Sequence, residues 1–134
     1  MSVIVTDAGF APAPERLIPV LADLTDAGTA VDLSNTDDPE LLRPHLDRLS
    51  LVRVNFPAFS DGRAFTVARR LRMMGYQGQL LAIGHVIADQ YAMCRRVGFD
   101  GVEISDDLAA RQPEEQWKFR ADWKAHDYQS RLRA

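Results

Sequence analysis

The fold is decided by residues 51–104, which read LVRVNFPAFSDGRAFTVARRLRMMGYQGQLLAIGHVIADQYAMCRRVGFDGVEI. Three short apolar runs, at residues 51–56, 79–83 and 101–105, have the composition of buried strands. Two segments with helical spacing lie between them. One is capped by Ser60 or Asp61 and runs to about Met74, and the other covers residues 87–97 and stops before a glycine. This alternation predicts right-handed βαβ units and a parallel sheet.

Working outward toward the N-terminus, the pattern predicts further strands at residues 2–6 and 30–33, and a first crossover helix over residues 39–49. Residues 11–14 read Ala-Pro-Ala-Pro and are expected to be irregular, since proline cannot continue a ladder. Residues 17–24 fit either a strand or a helical turn. The predicted fold is α/β: a single open, mostly parallel sheet of βαβ units with helices on its faces. A partial α/β-barrel-like arrangement is the alternative.

Length and composition set outer limits on the fold and location. The chain has 134 residues, 46% of them hydrophobic, which fits one domain over residues 1–134 with a C-terminal helical tail at 113–134. A complete eight-stranded α/β barrel needs about 250 residues. No apolar run is long enough for a membrane helix, and the first residues lack the pattern of a secretory signal. We therefore expect a cytoplasmic protein that does not enter a membrane.

Charge is distributed unevenly along the chain. Residues 1–50 carry 3 basic and 9 acidic side chains, whereas residues 51–100 carry 7 basic and 3 acidic ones, and all seven basic ones are arginine. Arginine suits carboxylates and phosphates, so these arginines, Arg69, Arg72 and Arg96 among them, fit an acidic partner or simply a solvated helix face. The net charge of −3 and the lack of interleaved aromatic residues argue against nucleic acid.

Polar residues follow the predicted strands at their carboxyl ends, where α/β folds usually bind ligands. Asn55 ends one strand and His85 follows the next, with Asp89 one helical turn later. His85 fits a general acid or base oriented by Asp89, or the two residues simply cap a helix. Asp61-Gly62-Arg63 fits either an anion site or a helix cap with a salt bridge.

The sequence contains none of the common catalytic or cofactor-binding motifs, such as a phosphate-binding glycine loop or a zinc-protease motif. The three histidines have no metal-ligand spacing, so we expect no metal site and no cofactor. Cys94 lies on the apolar stripe of its helix, which favours packing over a reactive thiol, although Arg95 and Arg96 are its neighbours.

Four motifs in order resemble a known bacterial family: residues 60–72 (SDGRAFTVARRLR), 75–78 (GYQG), 82–90 (AIGHVIADQ) and 96–100 (RVGFD). The family is catalogued as domain of unknown function 934, and its members are commonly described as oxidoreductases or accessory proteins of assimilatory sulfite reduction. The resemblance is strongest over residues 51–104. It implies an association with the sulfite or nitrite reductase haemoprotein rather than a defined reaction.

The resemblance also marks a set of residues as a functional surface, with structural roles equally open for the glycines: Asp61, Gly62, Arg63, Asp89, Gln90, Gly98 and Asp100. Three positions depart from the family, because many members have glycine at Ala64, aspartate at His85 and cysteine at Val97. A catalytic cysteine or an acidic role at His85 is therefore not carried over.

The C-terminal region carries aromatic residues that do not share one helical stripe. Trp117 and Trp123 fit either the core or a surface that docks a partner or a second copy of the chain, so a homo-oligomer stays open.

Two functional hypotheses follow. In the first, the chain is an accessory protein that binds the reductase or its electron donor without a cofactor of its own. In the second, it is a small enzyme or binding protein for an anionic sulfur or phosphate compound at the rim of strand ends.

Overall fold

The computed structural model describes residues 2–59 and 62–121. Six strands form one open mixed sheet in the order β2-β1-β6-β5-β4-β3. Strands β3 to β6 run parallel, and β1 is antiparallel to both of its neighbours. The fold is therefore an open α/β sheet, as predicted, and not a closed barrel. The strands are β1 (Ser2–Thr6), β2 (Gly9–Pro12), β3 (Ala30–Leu33), β4 (Leu51–Phe56), β5 (Gln79–Gly84) and β6 (Gly101–Ser105).

The described residues include four α-helices and three 3₁₀ helices, of which α3 and α4 follow the last strand and the others lie between strands. The predicted helices of the βαβ units are present, and the second of them starts with a 3₁₀ turn and ends at Gly98, whose φ of 116° suits glycine. The α-helices are α1 (Arg63–Met73), α2 (Tyr91–Val97), α3 (Asp106–Arg111) and α4 (Glu114–Arg120), and the 3₁₀ helices are Leu21–Asp23, Pro39–His45 and Ala88–Gln90.

Two predictions for the N-terminal third were wrong. Residues 11–14 were expected to stay out of any ladder, but Ala11 and Pro12 belong to β2. The Ala13 N–H donates to Ser2 O at 3.0 Å, which leaves Pro12 in a non-hydrogen-bonded pair, so its nitrogen faces away from β1 at the sheet edge.

The crossover over residues 39–49 is a 3₁₀ helix, Pro39–His45, rather than an α-helix. Pro44 lies inside it, and a proline there removes an α-helical hydrogen bond and disfavours the α conformation of Arg43. The Asp38 side chain caps its start by accepting from the Glu40 N–H at 3.0 Å. For residues 17–24, the helical turn is the alternative that the structure confirms.

All four α-helices lie on the same face of the sheet, which we call the helical face. Alternate strand residues such as Val52, Val54 and Phe56 share one hydrophobic core with buried residues of every α-helix. The Phe56 ring contacts the rings of Phe65 and Phe99 at 5.0 and 5.9 Å between centroids. Trp117 is buried in this core and donates to Gln112 O at 2.8 Å, so this tryptophan packs within the domain.

The opposite face, which we call the open face, carries the intervening strand residues. Leu51 and Leu81 are buried there outside the main core, beside the charged residues Asp32, Arg53 and Glu103. Since β2 and β3 are the two edges of the sheet, the segment that joins them must cross a face. Arg16 of this segment contacts Glu103, so residues 13–24 cross the open face. We call residues 13–24 the strap.

Candidate functional site

The loops after β4 and β5 meet at the carboxyl edge of the sheet. Gln90 joins them, because its side-chain oxygen accepts from the Ile87 N–H at 3.0 Å and its amide nitrogen donates to Phe59 O. Gln90 was predicted as a binding residue, and here its amide holds two loops in place.

His85 lies at this edge, and its side chain is exposed except where it contacts Phe56 and Phe59. Its backbone N–H donates to Phe56 O at 2.9 Å, its Nδ1 lies 3.3 Å from the same oxygen, and its ring meets Phe59 edge-on at 5.1 Å. Asp89 turns elsewhere, because its Oδ1 accepts from Arg120 Nη2 at 2.7 Å. The structure therefore does not bring His85 and Asp89 together as an oriented acid–base pair.

Gly84 positions this loop. Its φ is 101°, and a Cβ at this residue would lie 2.7 Å from Phe56 O and 2.9 Å from Asn55 Oδ1. Only glycine fits both the backbone conformation and the space. Asn55 is thus held against the β5 turn at the carboxyl edge, as the sequence predicted for a rim residue.

Gly62 and Arg63 begin α1 on the exposed surface near the same edge. Gly62 is the residue before the first helical one and supplies no side-chain cap. Asp61, predicted as part of the same motif, and Trp123 lie outside the described residues.

A groove of about 420 Å³ lies between the strap and the carboxyl ends of β3, β4 and β5. Its polar lining comes from Asp32, Ser34, Asp37 and Asn55, with Ile83 beneath. Asp37 accepts from the Ser34 N–H at 2.8 Å. Asp32 is balanced by Arg53, but Asp37 has no ion pair within the described residues, and its negative charge makes this groove a poor place for an anion.

Arg72 and Asp100 were predicted as binding residues, but they lie at the amino edge of the sheet and bind each other at 3.0 Å. Arg72 also donates to Tyr76 O, Gly78 O and Gly98 O, each at 2.9 Å. Arg72 therefore ties the end of α1 to the end of α2, which is a structural role.

The exposed faces of α1 and α2, which pack side by side, carry arginine and methionine. Arg69 is exposed, and no ion pair to it occurs within the described part of the chain. Met73, one turn later, is 76% exposed, and Met93 on α2 is 47% exposed. Arg70 differs, because it lies 3.4 Å from Asp38. We call Arg69, Met73, Met93 and the exposed Arg96 the arginine–methionine surface.

The open face carries a charged network that was not predicted from the sequence. Arg53 donates to both Asp32 oxygens at 2.6 Å and to Glu103 at 3.1 Å. Glu103 also accepts from Arg16 at 2.9 Å and from Ser2 at 3.1 Å. A signal was available: parallel strands covered on both faces are apolar throughout, yet β3, β4 and β6 each carry a charge in mid-strand.

Burial and hydrogen bonding shift the pKa of several side chains in the described part of the chain. Burial raises the pKa of Cys94 to about 12 and that of Tyr76 to about 12. Burial and a hydrogen bond to Asp7 raise the pKa of Tyr91. Asp32 raises the pKa of Arg53 above its usual value. Cys94 is therefore a protonated packing residue rather than a reactive thiol.

Comparison with known proteins identifies the family. A family model described as "Bacterial protein of unknown function (DUF934)" matches residues 30–134, and the chain belongs to this family. No curated protein matches the chain. Among residues 2–59 and 62–121, no helix has the length and apolar character needed to cross a membrane. Within the same residues, no three potential metal-ligating side chains of His, Cys, Asp or Glu come together.

Proposed function

We propose that this DUF934 protein is an accessory protein of assimilatory sulfite or nitrite reduction. It binds the reductase haemoprotein or its electron donor through the arginine–methionine surface, and any redox cofactor belongs to the partner. The link to sulfite reduction rests on the family resemblance, and the binding surface rests on the structure.

The observation that carries the proposal is the state of Arg69. Its guanidinium is exposed, and within the described residues no carboxylate neutralises it. Nearby Arg70 and Arg72 are already paired with Asp38 and Asp100. An unpaired arginine is the natural partner of an acidic surface, because its planar fork binds a carboxylate with two hydrogen bonds.

The exposed methionines support the same surface. Met73 and Met93 leave apolar area in water, on two helices that are otherwise polar outside. Methionine and arginine are both enriched in protein interfaces, and the flexible thioether side chain adapts to a partner's shape. Charge then selects the partner and speeds association, while the methionines provide apolar contact.

The alternative, an anion-binding protein or small enzyme at the strand-end rim, has less support. Of the described residues proposed for this rim, Asp89 binds Arg120 instead of joining His85. The groove that does lie at the strand ends is lined by Asp32 and Asp37. Arg53 balances Asp32, but an anion would still have to enter against the charge of Asp37.

Binding of the full chain to purified partners tests the proposal. Sulfite or nitrite reductase haemoprotein and an acidic ferredoxin-type donor are titrated separately by calorimetry at low and moderate salt. We expect one of them to bind, with affinity falling as salt rises. Arg69→Glu is expected to weaken binding about tenfold or more, because it turns an attraction into a repulsion.

Arg111→Glu is the matched control. Arg111 is exposed on α3, which packs near β1 and β6 rather than near α1, and the described residues provide it with no ion pair. This variant makes the same change in net charge and should bind like the wild type. The proposal is contradicted if neither protein binds, or if both charge reversals weaken binding equally.

A further inference from the structure

We propose that the open face of the sheet is a binding site for a guanidinium-bearing segment of another protein, and that the chain's own Arg16 occupies this site as an internal ligand. The site is the Glu103 carboxylate with the groove beside it. It lies on the opposite side of the sheet from the helices that form the arginine–methionine surface, so it goes beyond the proposed function.

The first argument is the arrangement of charge around Glu103. One of its oxygens accepts from Arg53 and Ser2, and the other accepts from Arg16 at 2.9 Å. Arg53 is itself held by both oxygens of Asp32. Two carboxylates and the fixed Arg53 therefore leave one negative charge, which Arg16 balances. Without Arg16, the site would require a cation.

The second argument is burial. The side chain of Glu103 is only 11% exposed and that of Arg53 is 14% exposed, so the strand residues of the network are fixed in a sheet. Arg16 comes instead from the irregular strap. Ion pairs with limited exposure are stronger and more specific than surface pairs, which makes this carboxylate a selective partner for a second guanidinium.

The third argument is that the Arg16 end of the strap is weakly attached. Leu21 and Leu24 pack against the core, but residues 13–17 reach the sheet through polar contacts, such as the Ala13 N–H to Ser2 O bond at 3.0 Å. None of residues 13–17 is buried, and Leu17 is fully exposed. Segments with few buried apolar contacts open at low free-energy cost. The Arg16 side chain can therefore move away while Leu21 and Leu24 hold the strap in place.

The fourth argument is that space for a ligand already exists. A groove of about 560 Å³ opens beside the ion pair and is lined by Ser2, Arg53, Glu103 and strap residues 13–17. Ala13, Pro14 and Leu17 of the strap provide apolar walls, and these walls stay in place because only the Arg16 side chain has to move. Such walls suit the methylene stem of an arginine whose guanidinium reaches Glu103.

The test uses the full chain, labelled with ¹⁵N, and two small probes. N-acetyl-arginine amide carries the guanidinium, and N-acetyl-citrulline amide has nearly the same shape without the charge. We expect Arg16→Ala to bind the arginine probe about tenfold more tightly than the wild type, because the internal competitor has been removed. Amide shifts should be centred on Ser2, Arg53 and Glu103, and the citrulline probe should cause none.

Two further variants keep the test decisive. Arg16→Lys retains the charge of the strap and should bind the probe as weakly as the wild type. Adding Glu103→Gln to Arg16→Ala should abolish the gain. The proposal is overturned if the wild type and Arg16→Ala bind the arginine probe equally, if neither binds it across the millimolar range, or if both probes bind alike.

Hydrogen exchange provides an independent readout that needs no probe. Arg16→Ala should speed exchange of the Ala13 and Asp32 amides, whose hydrogen bonds attach the strap at Ala13 and Pro19, on either side of Arg16. Arg43→Ala removes a similar Arg–Glu pair at 2.9 Å elsewhere and should leave both amides unchanged. Unchanged exchange in Arg16→Ala would show that Arg16 does not hold the strap down, which contradicts the proposal.

Discussion

The two faces of the sheet are held by different physical forces. On the helical face, Phe56, Phe99 and Trp117 pack in a core to which every α-helix contributes. On the open face, Leu51 and Leu81 are buried beside a charged network in which Arg53 links Asp32 and Glu103, beneath a strap in which no residue is buried. The strands are shared, so the difference comes entirely from alternate residues along each strand.

This contrast separates stability from function. Burial of large apolar side chains supplies most of the stability of a domain, so the helical face should determine whether the chain folds. Charged pairs contribute less to stability but more to specificity, so the open face can change its contacts without unfolding the protein. The predictions below compare the two faces in descending order of effect.

The largest effect is expected for Phe56→Ala on the helical face. The ring is fully buried between Phe65 and Phe99, and its loss leaves a cavity that should cost about 4 kcal/mol of unfolding free energy. Urea denaturation measures it. Phe119→Ala is the control, because Phe119 is 70% exposed and its loss should change stability by less than about 0.5 kcal/mol. Similar costs for both would mean that the core does not centre on Phe56.

Arg72→Ala should have the next largest effect, about 2 kcal/mol, although Arg72 is charged and partly exposed. The change leaves three carbonyls that now accept from Arg72 without their donor. The same substitution at Arg69, three residues earlier, removes no ion pair within the described residues and should be nearly neutral. Equal effects of the two substitutions on the denaturation midpoint would rule out a structural role specific to Arg72.

Arg53→Met tests the open face directly. Methionine keeps an apolar stem and removes the charge, and Asp32 and Glu103 retain some access to water. Because both carboxylates lose their shared cation, we expect a cost of about 2 kcal/mol, close to that of Arg72→Ala and below that of Phe56→Ala. Denaturation at low and high salt would show a smaller cost at high salt. A cost equal to that of Phe56→Ala would remove the distinction between the faces.

The smallest effect at neutral pH is expected from the titration of two buried groups, because the loss of stability that it causes appears only at alkaline pH. Folding raises the pKa of Cys94 and of Tyr76 to about 12, so the folded state favours their protonated forms. The resulting stability is present in full below the unfolded pKa values of about 8.5 and 10, and it is lost as pH rises toward 12. Urea midpoints at several pH values would show this decline. Cys94→Ala should remove its earlier part and leave the later, tyrosine-dependent part.

The sequence was sufficient to predict the parallel half of the sheet. The strands β3 and β4 were predicted to the residue, and Gly98 correctly marked the end of α2, because period-two and helical patterns report burial directly. Strand β2 was missed because the pairing of Pro12 depends on which way its nitrogen faces in the ladder. That direction is set by pairing with β1 and not by local sequence.

The candidate site was less accessible to sequence analysis. Asn55 and His85 were correctly placed at the carboxyl edge because strand direction fixes that edge. Arg72 looked like a surface arginine, since a helical pattern does not show that a side chain turns back toward three loop carbonyls. The Arg16–Glu103 contact spans 87 positions in the chain, and no local pattern predicts it.

The two edges of the sheet affect how readily another strand can be added to it. At one edge the outward Phe10 N–H donates to Glu114 at 2.7 Å and Pro12 has none to offer, and at the other edge Pro19 accepts from Asp32. An exposed row of unpaired N–H and C=O groups is what recruits a strand from another molecule and starts fibrillar aggregation. At these positions the chain has already filled that row. Addition of a strand from a second copy at these positions is therefore disfavoured.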